Sequence, residues 1–247
     1  MYSDSLTNPQ PQPWQAPPMA WSAPYRSPRG LGIAASVLLG VVALFDVLDG
    51  AASLAARAQY QELVGEPVQS GELVVDAELV SAVTGVLGVA AALATAVVFI
   101  CWFLRVRKNA ELLAPQLRQR RSPAWAGWGW FVPVVSLWFP FQIAQDSWRA
   151  ATAPGAPKAS EKLLGFWWAA WLISLTVSQA DGQLYSEAET AEAYVSSFGV
   201  AAVADGLDLV AAVLAILVVR RLTARQDAAA AGLAPAPYQP QAAYLQG

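Results

Sequence analysis

Five stretches of this chain carry no or almost no charge, and their lengths restrict the fold more than any other feature. Gly30 to Phe45 has 16 uncharged residues, Leu79 to Leu104 has 26, Ser122 to Gln145 has 24 and Leu163 to Ala180 has 18. Ala193 to Val219 spans 27 and is interrupted only by Asp205 and Asp208. A helix needs about 20 apolar residues to cross a hydrocarbon core. One such run fits inside a soluble domain, but five within 247 residues require a membrane. Only 13% of residues are charged, against about 25% in ordinary soluble domains. The expected fold is all-α, an integral membrane helical bundle.

Composition excludes several chemistries. Histidine is absent and Cys101 is the sole cysteine. Ser-His-Asp and Cys-His nucleophile systems therefore have no base, and a zinc site built on Cys and His has no ligand set. Neither a catalytic residue, a metal site nor a cofactor is expected, and the chain does not read as an enzyme. Cys101 reads as a small apolar residue.

Cation placement selects the topology. With four spans, at about 30–50, 79–104, 163–180 and 195–219, and both termini cytoplasmic, 14 of the 15 cations lie inside and only Arg57 lies outside. If Ser122 to Gln145 crosses as well, the split becomes 8 to 7. The positive-inside rule prefers the first arrangement, which places the protein in the plasma membrane as a multi-pass chain. The odd stretch carries Pro133 and Pro140, each lacking a backbone donor and clashing with the preceding turn. Residues 122–149 are therefore expected as a re-entrant or interfacial segment packed on the bundle, with a five-span chain as the competing topology. Residues 1–28 are Pro- and Gln-rich and 226–247 Ala- and Pro-rich, so both are expected as disordered cytoplasmic tails. No cleavage site precedes the first span, which reads as an uncleaved signal anchor.

Trp102, Trp125, Trp128, Trp130, Trp148, Trp167, Trp168 and Trp171 all fall near the cytoplasmic boundary and read as an aromatic belt at the lipid interface. A Trp-lined ligand pocket is the sharper alternative. Gly32, Ser36 and Gly40 in the first span, and Ser81, Gly85, Gly88 and Thr95 in the second, form small-residue faces that let helices approach closely. They signal packing in the bundle, in a homo-oligomer or against another membrane protein.

Acidic residues are the most informative polar feature. Asp46 and Asp49 lie near the outer end of span one, and Asp205 and Asp208 in the outer half of the last span. A spacing of three puts each pair on one helix face. Asp46 stands 17 residues beyond Arg29, about 25 Å, and Asp205 stands 15 before Arg220, about 22 Å, so the pairs share a level if their helices are neighbours. A carboxylate at that depth must be paired, hydrated or protonated. One reading is a cation- or proton-binding cluster. The other is that the spans project beyond the lipid and the headgroup region wets these residues. Thirteen of the 18 acids fall on the outer side. On the inner side Arg105, Arg107, Lys108, Arg118, Arg120 and Arg121 are expected to contact anionic lipid. Their position between two membrane segments, and a net charge of −3, argue against nucleic acid as a partner.

The residues Phe103-Leu-Arg-Val-Arg-Lys-Asn109, Arg121-Ser-Pro-Ala-Trp125, Gly129-Trp-Phe-Val-Pro133, Pro140-Phe-Gln142 and Trp148-Arg149 occur in order. They are followed by Gly165-Phe-Trp-Trp-Ala-Ala-Trp-Leu172. Together they resemble the bacterial, largely actinobacterial, membrane family known as domain of unknown function 4328, over about Leu31 to Arg221. Trp125, Trp130, Pro133, Pro140 and Trp148 are the structural motif of that resemblance. It implies a multi-pass membrane protein and brings no activity, substrate or catalytic residue. One departure is visible: the family pattern commonly has Asn before the Leu between the two prolines, where this chain has Ser136. A single hydroxyl then has to serve where an amide could cap a half-helix. Three function classes follow: a structural or regulatory protein acting through lipid or protein contacts, a small transporter or cation- or proton-linked protein using the Asp pairs, and, last, a membrane enzyme.

Overall fold

A computed structural model describes residues 25–65, 75–152 and 160–233 of the chain. The backbone alone is described for 75–85. Residues 1–24 and 234–247, the greater part of both expected tails, lie outside the described residues, as does 153–159.

All regular structure among the described residues is helical: α1 (Arg29–Glu62), α2 (Val75–Leu113), α3 (Trp125–Trp128), a 3-10 turn (Val135–Leu137), α4 (Phe139–Ala150), α5 (Lys162–Ser186) and α6 (Ala191–Leu233). Four of these helices, α1, α2, α5 and α6, are long and apolar enough to cross a membrane. The 34 residues of α1 extend about 50 Å and the 43 of α6 about 65 Å, well beyond a hydrocarbon core of about 30 Å. The helices therefore overrun the expected spans at both ends. Residues 226–233, read from sequence as tail, are a continuation of α6. The run Ala228 to Ala231 favours helix strongly, and Gln226 and Asp227 are held by tertiary contacts described below.

α6 is the centre of the bundle, packed antiparallel to α1 on one side and α5 on the other, with α2 against α1. One register holds along the α1–α6 seam. Gly32 faces Thr223 and Val219, Gly50 faces Asp205, Arg57 faces Gly199, and Tyr60 faces Tyr194 and Phe198. A Cβ at Gly32 would sit 2.9 Å from Thr223 Oγ1, so only glycine permits this approach. Gly40 and Gly88 have open space beside them. Of the small-residue face expected in α1, Gly32 serves packing within the chain and Gly40 does not.

Among its described residues, the segment between α2 and α5 holds no helix long enough to cross a membrane. Its helices, of 4 and 12 residues, are too short. It folds back against the basic end of the bundle, filling the gap between α2 and α5. Pro133 leads into a tight turn in which Val135 N–H donates to the Pro133 carbonyl at 2.7 Å. Val134, at φ 67° and ψ −53°, takes the left-handed conformation this γ-turn demands. For a β-branched residue that conformation costs on the order of 1–3 kcal/mol. Pro140 occupies the first turn of α4, where its missing donor has no helical partner to lose. Neither the 3-10 turn nor α4 has a side-chain N-cap, so the Ser136 hydroxyl does not take the capping role.

Candidate functional site

Two polar regions lie at opposite ends of the bundle. At the basic end the tryptophans form a core. Trp102, Trp148, Trp167 and Trp168 are buried, and Trp125, Trp130 and Trp171 pack against them. Trp130 is the hub. Its ring lies 5.5 Å from Phe99, 5.6 Å from Phe103, 6.1 Å from Trp168 and 5.9 Å from Trp171, each in an edge-on arrangement. Edge-on contact suits the aromatic quadrupole. The Trp168 indole donates to the Leu137 carbonyl at 3.0 Å and ties the folded-back segment to α5. The expectation of a lipid-facing belt is corrected: among these residues only Trp128 stands out, 67% exposed. Sequence placed the rings at the right level but could not show that the folded-back segment turns them toward one another.

Buried polar side chains lock the same end. Asn109 on α2 donates to the Arg26 carbonyl at 2.9 Å and to Gln226 Oε1 at 3.2 Å. Gln226 donates back to the Val106 carbonyl at 2.9 Å, and the Trp102 indole donates to Thr223 Oγ1 at 3.0 Å. The Tyr25 hydroxyl donates to Asp227 at 2.7 Å. Burial, and then that hydrogen bond and the neighbouring carboxylate, push its ionisation upward from the ordinary tyrosine range.

Arg105, Arg107, Lys108, Arg118, Arg120 and Arg121 do not act as one lipid-facing set. Arg107 is buried and donates to the Arg121 carbonyl at 2.7 Å. Asp146, also buried, accepts from the Arg120 backbone N–H at 2.9 Å and from its Nε at 2.8 Å. Arg121 donates to Gln142 and lies 3.6 Å over the Phe139 ring. Lys108 and Arg118 are exposed and Arg105 half-buried. Arg149 makes two bonds to Glu161, at 2.6 and 2.9 Å, which raise the pKa of its guanidinium. Asn109, Asp146, Glu161 and Gln226 escaped notice in sequence as structural polar residues. Asp146 was the most legible of them, because Gln142, Gln145, Asp146 and Arg149 recur at helical spacing and give α4 a polar face.

At the acidic end the α1–α6 register sets Asp46 opposite Asp208 and Asp49 opposite Asp205. Asp46 feels the charges of Asp208, Asp205 and Asp49, and Asp205 those of Asp49, Asp208 and Asp181. A Cβ at Gly50 would lie 3.3 Å from the Asp205 Cβ and 3.5 Å from its Oδ2. The small residue after Asp49 thus lets the Asp205 side chain lie against α1. The two sequence-nominated pairs therefore form one cluster, joined from α5 by Asp181 and by Ser178, whose hydroxyl donates to Asp208 at 3.2 Å. In sequence Asp181 is one of the thirteen outer-side acids, directly after the uncharged run Leu163 to Ala180. Its signal was the spacing of Ser174, Ser178 and Asp181 along one face of α5.

All five carboxylates are half-buried, and an oxygen of Asp46 and one of Asp181 are shielded from solvent without a hydrogen-bond partner. Arg57, on α1, lies about 10 Å further along the helix, its guanidinium against Gly199 at 3.6 Å. Beyond it Tyr60, Tyr185, Tyr194 and Phe198 close the acidic end with an aromatic cluster. Among the described residues no three acidic groups stand close enough to hold a metal ion.

No curated protein and no solved structure was found to match the chain. A family model does match, over residues 66–224, from before α2 to near the end of α6, and so includes the folded-back Trp segment and the Asp205–Asp208 pair. The chain belongs to that family, the domain of unknown function DUF4328.

Proposed function

We propose that this is a plasma-membrane protein, with both termini cytoplasmic, that takes up a proton at its acidic end and acts without enzymatic turnover. One observation carries the reading: the α1–α6 register gathers Asp46, Asp49, Asp205 and Asp208 into one cluster, with Asp181 added from α5 and Arg57 about 10 Å away. Like charges on packed helices at the lipid boundary repel one another, and positive charge brought in from solution relieves that repulsion. The basic end supplies a rigid base against which the acidic end can respond.

The test compares wild type with Asp205→Asn and Asp208→Asn in proteoliposomes. Wild type should show proton-dependent flux, or thermal stabilisation as the pH is lowered. Both signals should fall at least tenfold in the variants. Equal behaviour of wild type and variants in the two assays contradicts the reading.

A structural or regulatory role through lipid or protein contacts is the second reading. It is favoured by the exposed apolar side chains of Trp128, Phe131, Val134 and Trp138 on the folded-back segment. Membrane lipids, a second copy of the chain or another membrane protein would cover them.

A further inference from the structure

A cavity of about 480 Å³ opens at the basic end between the last turns of α2 and the loop from Ala114 to Pro123. Arg107, Arg118 and Arg121 line it with Glu111, Gln119 and Ser122, leaving an excess of positive charge. Its polar groups are incompletely used. Both atoms of the Gln119 side-chain amide are shielded from solvent and have no hydrogen-bond partner. Arg107 Nη1 lies 3.0 Å from Glu111 Oε1, close enough for charge attraction. It is nevertheless buried and off the direction a hydrogen bond requires. Buried donors left without acceptors are uncommon in folded chains, so these groups remain available to an added acceptor. Arg118 is exposed and has no partner among the described residues.

We propose that this cavity binds a phosphate-bearing anion. Three arginines lining one cavity, with an amide donor beside them, match the several oxygens of a phosphate ester and its charge. The volume lies in the range of small-molecule sites, about 300–1,000 Å³, and leaves room for a substituent on the phosphate. Arg107 and Glu111 stand three and seven residues beyond the end of the charge-free run of α2. That places the cavity floor about 5–10 Å past the apolar band, at headgroup depth. A phospholipid headgroup and a soluble phosphate ester share the required chemistry. This site is separate from the acidic cluster, and its failure would leave the cluster untouched.

The test uses the full chain in phosphatidylcholine nanodiscs and reads thermal unfolding. One arm adds glycerol phosphate against chloride at matched ionic strength. The other replaces part of the phosphatidylcholine with phosphatidylglycerol. The Arg118→Gln/Gln119→Leu double variant removes two lining groups that make no hydrogen bond within the fold, so it should fold as wild type does. Lys162→Gln serves as a basic control outside the cavity. Wild type and the control should be stabilised in at least one arm, with the apparent dissociation constant at least tenfold weaker in the double variant. Stabilisation by phosphatidylglycerol alone assigns the lipid headgroup, and stabilisation by glycerol phosphate alone assigns the soluble ester. No stabilisation in either arm, or equal stabilisation of wild type and double variant, overturns the proposal.

Discussion

Trp130→Ala should destabilise the protein by about 3 kcal/mol, within the range of about 3–5 kcal/mol for removing a large aromatic from a packed site. The lower end applies because Trp130 is only partly buried. Its ring is the contact shared by Phe99 and Phe103 on α2 and by Trp168 and Trp171 on α5. α2 and α5 touch directly at Phe99 and Trp167, whose rings stand 6.2 Å apart, so the loss leaves a void where the folded-back segment bridges them. Trp128→Ala is the matched comparison. Its ring is 67% exposed, and its removal should change stability by under about 0.5 kcal/mol in detergent. Chemical unfolding of the two purified variants measures the difference, and equal effects would mean that Trp130 is not the hub.

The second large effect is expected from Asp146→Ala, at about 2–3 kcal/mol. Asp146 accepts from both the backbone N–H and the Nε of Arg120, and it is itself buried. Removing it strands a backbone donor and leaves a guanidinium with Gln142 and Gln145 as its remaining partners. Hydrogen bonds to charged groups contribute about 1.5–3 kcal/mol each when removed from one side. Arg120 is 38% exposed, so water recovers part of that loss. The loop carrying Arg118, Arg120 and Arg121 should then separate from α4, and trypsin should cut there at lower concentration than in wild type. Asp146→Asn keeps an acceptor without the charge and should fall between the two. Unchanged trypsin sensitivity in Asp146→Ala would show that the loop is held by other contacts.

Both effects concern a part of the molecule that sequence described only coarsely. The four long helices were legible because lipid imposes a minimum run of apolar residues, and charge-free lengths report it directly. The break-up of residues 122–149 into short helices was legible from Pro133 and Pro140. The facing of the rings was not. A tryptophan at a membrane boundary has the same local sequence whether it meets lipid or another ring, and only the return path of the folded-back segment decides. The helix ends were also hidden, since Tyr25, Asn109, Gln226 and Asp227 are polar residues in segments with no apolar periodicity. For the acidic cluster, sequence supplied the depth of each Asp pair. The register that sets one pair against the other came from Gly32 and Gly50, where the helices approach closely. Asp181 joined because α5 packs on α6 with its Ser178 and Asp181 face inward.

The central claim is that the chain crosses four times and that the Trp-rich segment returns to the side from which it came. Single cysteines at Ala156 and Gly182, in a Cys101→Ala background, test it most directly by labelling with a membrane-impermeant reagent. Labelling from outside should reach Gly182 and leave Ala156 untouched until the membrane is opened. Outside labelling of Ala156 with protection of Gly182 would contradict the account, because residues 122–145 would then have to cross.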